Sequence, residues 1–282
     1  MILGAHESIS GSYLRAIEEG LEDGCESLQL FTKNQTQWRE PAVDDARCEE
    51  FRRERRKAKI KRVTSHTSYL INLASDNPET LRRSLEALEL ELQRCDRLGI
   101  EYLVMHPGAH MGQGEQRGLE LIAAGIGGVL EKLKGAGTRL LLETTAGQGS
   151  SLGHSFEEIG WLLANTPGGE RMGVCLDTAH AYAAGYDIKT ADGYKKTFDD
   201  FNRIVGLKKL LAFHLNDSKK DLGTRVDRHE QIGKGFLGPE PFRRLLKDRR
   251  FAKIPAVLET PPLPGGERGY RENLALLRKL AR

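Results

Sequence analysis

Long hydrophobic runs are missing from this chain: its uninterrupted apolar stretches are a handful of residues, far short of the ~18–20 that a membrane-spanning helix needs. The opening segment MILGAHESISG carries neither the basic nor the apolar stretch of a secretory leader, so none is expected. Cysteine is sparse and scattered. Cys25, Cys48, Cys95 and Cys175 form no C-x-x-C pair, which argues against a disulfide frame or a sulfur-bound metal and fits free thiols in a reducing cytoplasm, the expected location. Low-complexity segments and Pro- or Ser-rich linkers are absent too, so one domain over residues 1–282 is expected. No sign of charge dominates: 43 basic and 40 acidic residues leave +3 at pH 7, which permits a nucleic-acid partner without arguing for one.

What is present is an alternation. Short apolar strand candidates run over Ile2–Ala5, Ser27–Phe31, Arg62–Ser65, Tyr102–Met105, Leu140–Leu142, Met172–Leu176, Leu210–Phe213 and Pro255–Leu258. Helical patterns or long loops separate them. One helix is expected from a Ser10 cap to Gly24, another over Asp44–Lys61, whose Arg- and Lys-rich sequence reads as a solvated face. Asn77-Pro78 marks a helix start, with Leu81, Leu85, Leu88, Leu92 and Cys95 on its apolar face. Further helical patterns cover Gln116–Lys134, Phe156–Ala164, Tyr194–Val205, Phe242–Leu246 and Tyr270–Leu280. Alternating strands and helices imply a parallel sheet, and eight repeats in a chain near the typical ~250 residues imply a closed (β/α)8 TIM barrel. An open doubly wound sheet would carry a Gly-rich fingerprint after its first strand, and GAHES is not one.

The strand ends carry the chemistry. His66, His106, Glu143, Asp177, His214 and Glu259 close successive strands, His180 follows Asp177 by one turn, and the loop after His214 carries Asp227 and His229. Barrel active sites lie on the face formed by the strands' C-terminal ends, so these side chains are expected at one mouth. Nitrogen and oxygen ligands without sulfur suit zinc, manganese or iron. A catalytic zinc usually takes about three protein ligands, so a set this large implies two or three ions, with a carboxylate such as Glu143 available to bridge. Clusters of that kind serve phosphodiester hydrolysis because they stabilise both the attacking and the leaving oxygen. The other histidines read as weaker candidates: His6 as a hydrogen-bonding or packing residue at the mouth, His110 as a loop residue, His154 as a surface or capping residue.

The segments GAHES (4–8), FTKNQTQW (31–38), HTSYLINLAS (66–75), HPGAH (106–110), ETTAGQGSSLG (143–153), GVCLDTAHAYAAGYD (173–187), HLND (214–217), RVDRHEQIGKG (225–235) and LET (258–260) resemble the endonuclease IV family of apurinic/apyrimidinic endonucleases. The resemblance implies a TIM barrel with three zinc ions, manganese or iron replacing zinc in part. By residue, it implies that His66, His106 and Glu143 hold the first ion. Glu143 bridges to a second held by Asp177, His214 and Glu259, and His180, Asp227 and His229 hold the third. The implied reaction is hydrolysis of the phosphodiester 5′ to an abasic site in duplex DNA, leaving a 3′-hydroxyl and a 5′-deoxyribose phosphate, together with trimming of blocked 3′ ends. A hydroxide between the first two ions would attack phosphorus in line, with Glu143 and Glu259 as catalytic carboxylates that orient or deprotonate the water.

Tyr69 and Leu70 resemble the family's wedge into the minor groove, a known way to kink a duplex. Lys33, Asn34, Gln35 and Gln37 after the second strand, and Arg225, Lys219 and Lys220 beside the metal loop, are the expected phosphate contacts. Two positions depart from the family pattern: Thr36 stands where an Arg often enters the duplex, implying a weaker wedge or one supplied by another residue, and Thr144 stands where Asn is usual. A DNA-engaging barrel mouth needs no second subunit, so a monomer is expected. The competing enzyme reading is a sugar isomerase or epimerase on a related barrel, which uses one ion; His180 and the Asp227-x-His229 pair argue against it. A DNA-binding protein without catalysis would be expected to lack Glu143 or Glu259, and both are present.

Overall fold

In the computed structural model, which describes residues 1–39, 42 and 44–282, eight parallel strands close on themselves. They are Ile2–His6, Ser27–Leu30, Arg62–His66, Tyr102–Met105, Arg139–Glu143, Met172–Asp177, Leu210–His214 and Pro255–Leu258. Each pairs with its neighbours in chain order, and the first closes on the last from Ile2↔Pro255 to Ala5↔Leu258. This is the expected TIM barrel.

Alternation along the strands sorts their side chains into two layers. Leu103 and Met105 join the large core between barrel and helices, whereas Val104, Leu141, Cys175 and Ala212 form a separate buried cluster. Val104 pairs with Leu141 and Cys175 with Ala212, so these four occupy one level of the lumen. Successive side chains point to opposite faces, so the next lumen-facing residue toward each strand's C-terminal end is His106, Glu143, Asp177 and His214. A layer of apolar residues thus floors a layer of metal-type residues.

The helices form where their end signals place them. Asn77 caps Pro78–Leu98 by accepting from the Glu79 and Thr80 amides, and Gly99 ends it in the left-handed conformation. Ser155 and Glu158 form a reciprocal capping box at the start of Phe156–Asn165. Two expectations shift. Ser12, not Ser10, caps the first helix, Tyr13–Asp23, because its hydroxyl reaches the Leu14 amide. The Arg-rich helix covers Asp45–Lys57 and stops short of Lys61, because Lys59 turns left-handed (φ 57) and the third strand begins at Arg62.

Gly4 marks the tightest approach in the barrel wall. It pairs with Ser27, and a Cβ at residue 4 would lie 1.8 Å from the Ser27 carbonyl oxygen. The obstacle is backbone, which cannot swing aside as a side-chain tip can. Gly4→Ala is therefore expected to destabilise the fold by about 3 kcal/mol or more, read as a lowered urea midpoint. An unchanged midpoint would mean that the two strands separate at little cost.

Candidate metal centre

Three local devices complete the ring begun by the strand ends. The helix Thr178–Ala184 starts directly at the sixth strand, with the Asp177 side chain as its N-cap accepting from the His180 amide at 2.8 Å. That short helix, which the sequence reading did not anticipate, brings His180 over the lumen. Asp217–Ser218 pairs antiparallel with His229–Glu230, folding the loop after the seventh strand back so that His229 faces inward. Asp217 fixes the rest of that loop, accepting from the backbone amides of Gly233, Gly235, Leu237 and Gly238.

The donor atoms converge in three groups, each with its atoms within 4.8 Å of one another: His66, His106 and Glu143; Glu143, Asp177, His214 and Glu259; and Asp177, His180 and His229. The first two match the expected sets. In the third the structure adds Asp177, while Asp227 lies 3.1 Å from His180 Nε2 and 3.7 Å from His229 Nε2. All nine expected residues therefore meet at one mouth.

Electrostatics set the protonation of this cluster. Burial by itself would raise the Glu143 carboxyl, but His214, His106 and His180 around it hold it well below the usual carboxylate range. Glu259 is likewise pushed up by burial and held well down by His214 and His6. Burial also opposes ionisation of Asp227, yet His180 and His229 keep it at about 2. On the imidazole side, burial would lower His180, and Asp177, Asp227 and Glu143 outweigh it, leaving the ring well above the ordinary histidine value. His214 is raised in the same way against its burial, by Cys175, Glu143 and Glu259.

This donor set fits metal ions. Glu143 is fully buried, and its ion-pair partners are histidines, His66 and His214 at 3.0 Å, His180 at 3.3 Å and His106 at 3.4 Å. His180 and His229 point Nε2 at each other across 3.2 Å. Facing imidazole nitrogens ringed by ionised carboxylates are what a shared cation would draw together.

Residues outside the expected list shape the cluster. Asn216 donates to Asp177 Oδ2 at 2.7 Å and accepts from the Glu259 amide at 2.8 Å. Thr144, one of the two departures, accepts from the Asp177 amide through its hydroxyl at 3.0 Å, and its carbonyl lies 2.9 Å from His180 Nδ1. Asn216 was legible in HLND only as part of a motif; its role depends on contacts between distant strands. His6 sits 3.2 Å from Glu259, His110 accepts from the Gly112 and Gly114 amides of its own loop, and His154 pairs with Glu158 at 3.0 Å.

The expected DNA contacts divide. Tyr69 is 60% exposed beside the rings of Phe31, His66 and His106, and Leu70 is half-buried behind it. Asn34, Gln37, Arg225, Lys219 and Lys220 are exposed at the rim, and Gln35 is partly so. Lys33 is a correction: its ammonium is buried, donates to the Gln37 carbonyl at 2.7 Å and lies 3.9 Å from Glu91, so it shapes its loop and does not reach outward. Thr36 is tied back to Asn34 Oδ1 by its amide and hydroxyl at 2.9 and 2.8 Å.

Residues 17–280 match the family described as xylose isomerase-like TIM barrel. A protein named "Probable endonuclease 4" from Chloroflexus aurantiacus is 48% identical over 278 residues, covering 98% of this chain and 97% of that protein. One of the same name from Geobacter sulfurreducens is 46% identical over 280 residues, covering 99% and 94%. The crystal structure of endonuclease IV from Thermus thermophilus superposes with a TM-score of 0.85 at 36% identity, covering 99% of this chain and 98% of that one. A D-tagatose 3-epimerase-like protein shares the fold, with a TM-score of 0.75, at only 15% identity. With relatives this similar over almost their whole length, the chain belongs to the endonuclease IV family.

Proposed function

We propose that this protein is a zinc-dependent apurinic/apyrimidinic endonuclease of base excision repair that acts as a monomer on duplex DNA, cutting 5′ to abasic sites and trimming blocked 3′ ends. The observation that carries the proposal is the convergence of His66, His106, Glu143, Asp177, His180, His214, Asp227, His229 and Glu259 at one barrel mouth. Bound ions, zinc or in part manganese or iron, would lower the pKa of water and neutralise charge on the phosphate. His66, His106 and Glu143 would hold the first, Glu143 with Asp177, His214 and Glu259 the second, and His180, Asp227 and His229 the third, with Asp177 at its edge.

The two catalytic carboxylates differ in access. Glu143 is 1% exposed at its side chain and Glu259 16%. Glu143 therefore serves the cluster from within, while Glu259 can meet the attacking water and take its proton. Attack on phosphorus would form the bond to the water oxygen and break the bond to the 3′-oxygen, which would take up a proton from solvent to become the 3′-hydroxyl, leaving a 5′-deoxyribose phosphate on the other side. Tyr69 and Leu70 would enter the duplex beside the lesion, and Asn34, Gln35, Gln37 and Arg225 would hold the backbone. An abasic nucleotide has no base to unstack, so extruding it costs less than flipping a normal one.

Incubation with a duplex holding one abasic analogue is expected to give a single cut on its 5′ side, with binding that weakens by roughly 0.9 log units per neutralised phosphate per tenfold salt. No cut, or a salt-independent affinity, would remove the duplex as substrate. The single-ion isomerase reading is disfavoured by the third group, His180 and His229 with Asp177, which such an enzyme does not need.

A further inference from the structure

The second strand contributes no metal-type residue to the mouth, yet its lumen-facing Gln29 touches two of the residues assigned to the second ion. Gln29 is fully buried. Its Nε2 donates to Glu259 Oε1 at 2.6 Å, and its Oε1 lies 2.9 Å from His214 Nε2. The Thr64 hydroxyl donates to the same Oε1 at 3.1 Å. A carboxylate only accepts, so the Glu259 contact fixes which end of the amide is NH2. The oxygen end then faces His214, and Nε2 of that ring must be the protonated nitrogen. His214 Nδ1 is therefore the nitrogen that turns toward Glu143 Oε1 at 3.0 Å and Glu259 Oε2 at 3.1 Å, and it is the one that would shed its proton and offer its lone pair to an ion held there.

We infer that Gln29 is a positioning residue that selects the His214 tautomer and orients Glu259 at the same time, so that one neutral side chain prepares two ligands of one ion. Neutrality matters at this position. A carboxylate partner would also fix the ring but would add negative charge against Glu259, whereas the amide offers an acceptor to the imidazole and a donor to the carboxylate. The inference rests on the metal-centre reading given above.

The test uses the zinc-loaded protein and three chains: wild type, Gln29→Met, which keeps volume but offers no hydrogen bond, and Gln29→Glu, which restores an acceptor. Zinc retention is measured against a competing chelator, and the His214 ring is read by nitrogen-15 NMR. Wild type is expected to show a protonated, slowly exchanging His214 Nε2. Gln29→Met is expected to lose that signal and to release its weakest ion at a chelator concentration about 10–100-fold lower, the usual effect of removing a residue that orients a ligand. Gln29→Glu is expected to recover the Nε2–H signal. Should Gln29→Met hold zinc as wild type does, or Gln29→Glu fail to restore the signal while both melt like wild type, the inference is overturned. A wild-type chain that binds no zinc overturns the metal-centre reading itself, an outcome distinct from the first two.

Discussion

Glutamine in place of Glu259 is expected to slow cleavage of an abasic duplex by about a thousandfold while leaving duplex affinity nearly unchanged. The effect is large because Glu259 combines three properties. It is held ionised by His214 and His6 against its burial, it contacts the second-ion group, and it keeps solvent access that Glu143 lacks. An amide preserves the shape and can still accept from Gln29 at the position where Oε1 now sits, 2.6 Å away. It cannot take a proton, and its NH2 end would face His214 Nδ1, 3.1 Å from Oε2. Binding should survive because the residues assigned to the duplex, Tyr69 and Arg225 among them, lie in other loops. Gel-shift affinity and single-turnover cleavage on the same abasic duplex separate the two effects. Near-wild-type cleavage would take Glu259 out of the mechanism.

The second large effect concerns pH and metal together. In the metal-free chain His180 and His214 have folded values raised above the ordinary 6.5, so their stabilisation is complete below 6.5 and is lost as pH rises through the raised values. Glu143 and Glu259 are depressed below 4.5, so theirs is present above 4.5 and fades as pH falls through the depressed values. The metal-free protein should therefore be most stable between about 4.5 and 6.5 and lose ground above that window. The zinc-loaded protein should show the reverse slope above neutrality, because ligands must shed protons to bind metal and affinity rises with pH. Between about pH 6 and 9 the chelated form is expected to fall in melting temperature by about 5 °C or more while the loaded form holds or gains. Parallel melting curves for the two forms would show that these groups are not linked to metal in this way.

Much of the site was readable because the barrel repeats a simple rule. Each strand is short, alternates faces and ends at the mouth, so His66, His106, Glu143, Asp177, His214 and Glu259 could be placed together from strand ends alone. What escaped were contacts between elements far apart in the chain. Gln29 looks like any polar residue in SLQLF, yet it reaches His214 and Glu259. Lys33 looks like a phosphate contact, yet a carbonyl four residues on and Glu91 draw its ammonium inward. Ser10 was the expected cap, yet the backbone puts the Ser12 hydroxyl at the Leu14 amide.

By itself the sequence determined the fold class, the end of the barrel that carries the chemistry and the identity of the nine candidate ligands, because periodicity and strand termini are local properties. Only the tertiary structure decided how closely the candidate donor atoms approach one another, that Asp177 stands between the second and third groups while Asp227 pairs with His180 from the rim, and which neutral side chains hold the candidate ligands in place. Those facts depend on distances between atoms brought together by barrel closure, and no spacing along the chain encodes them.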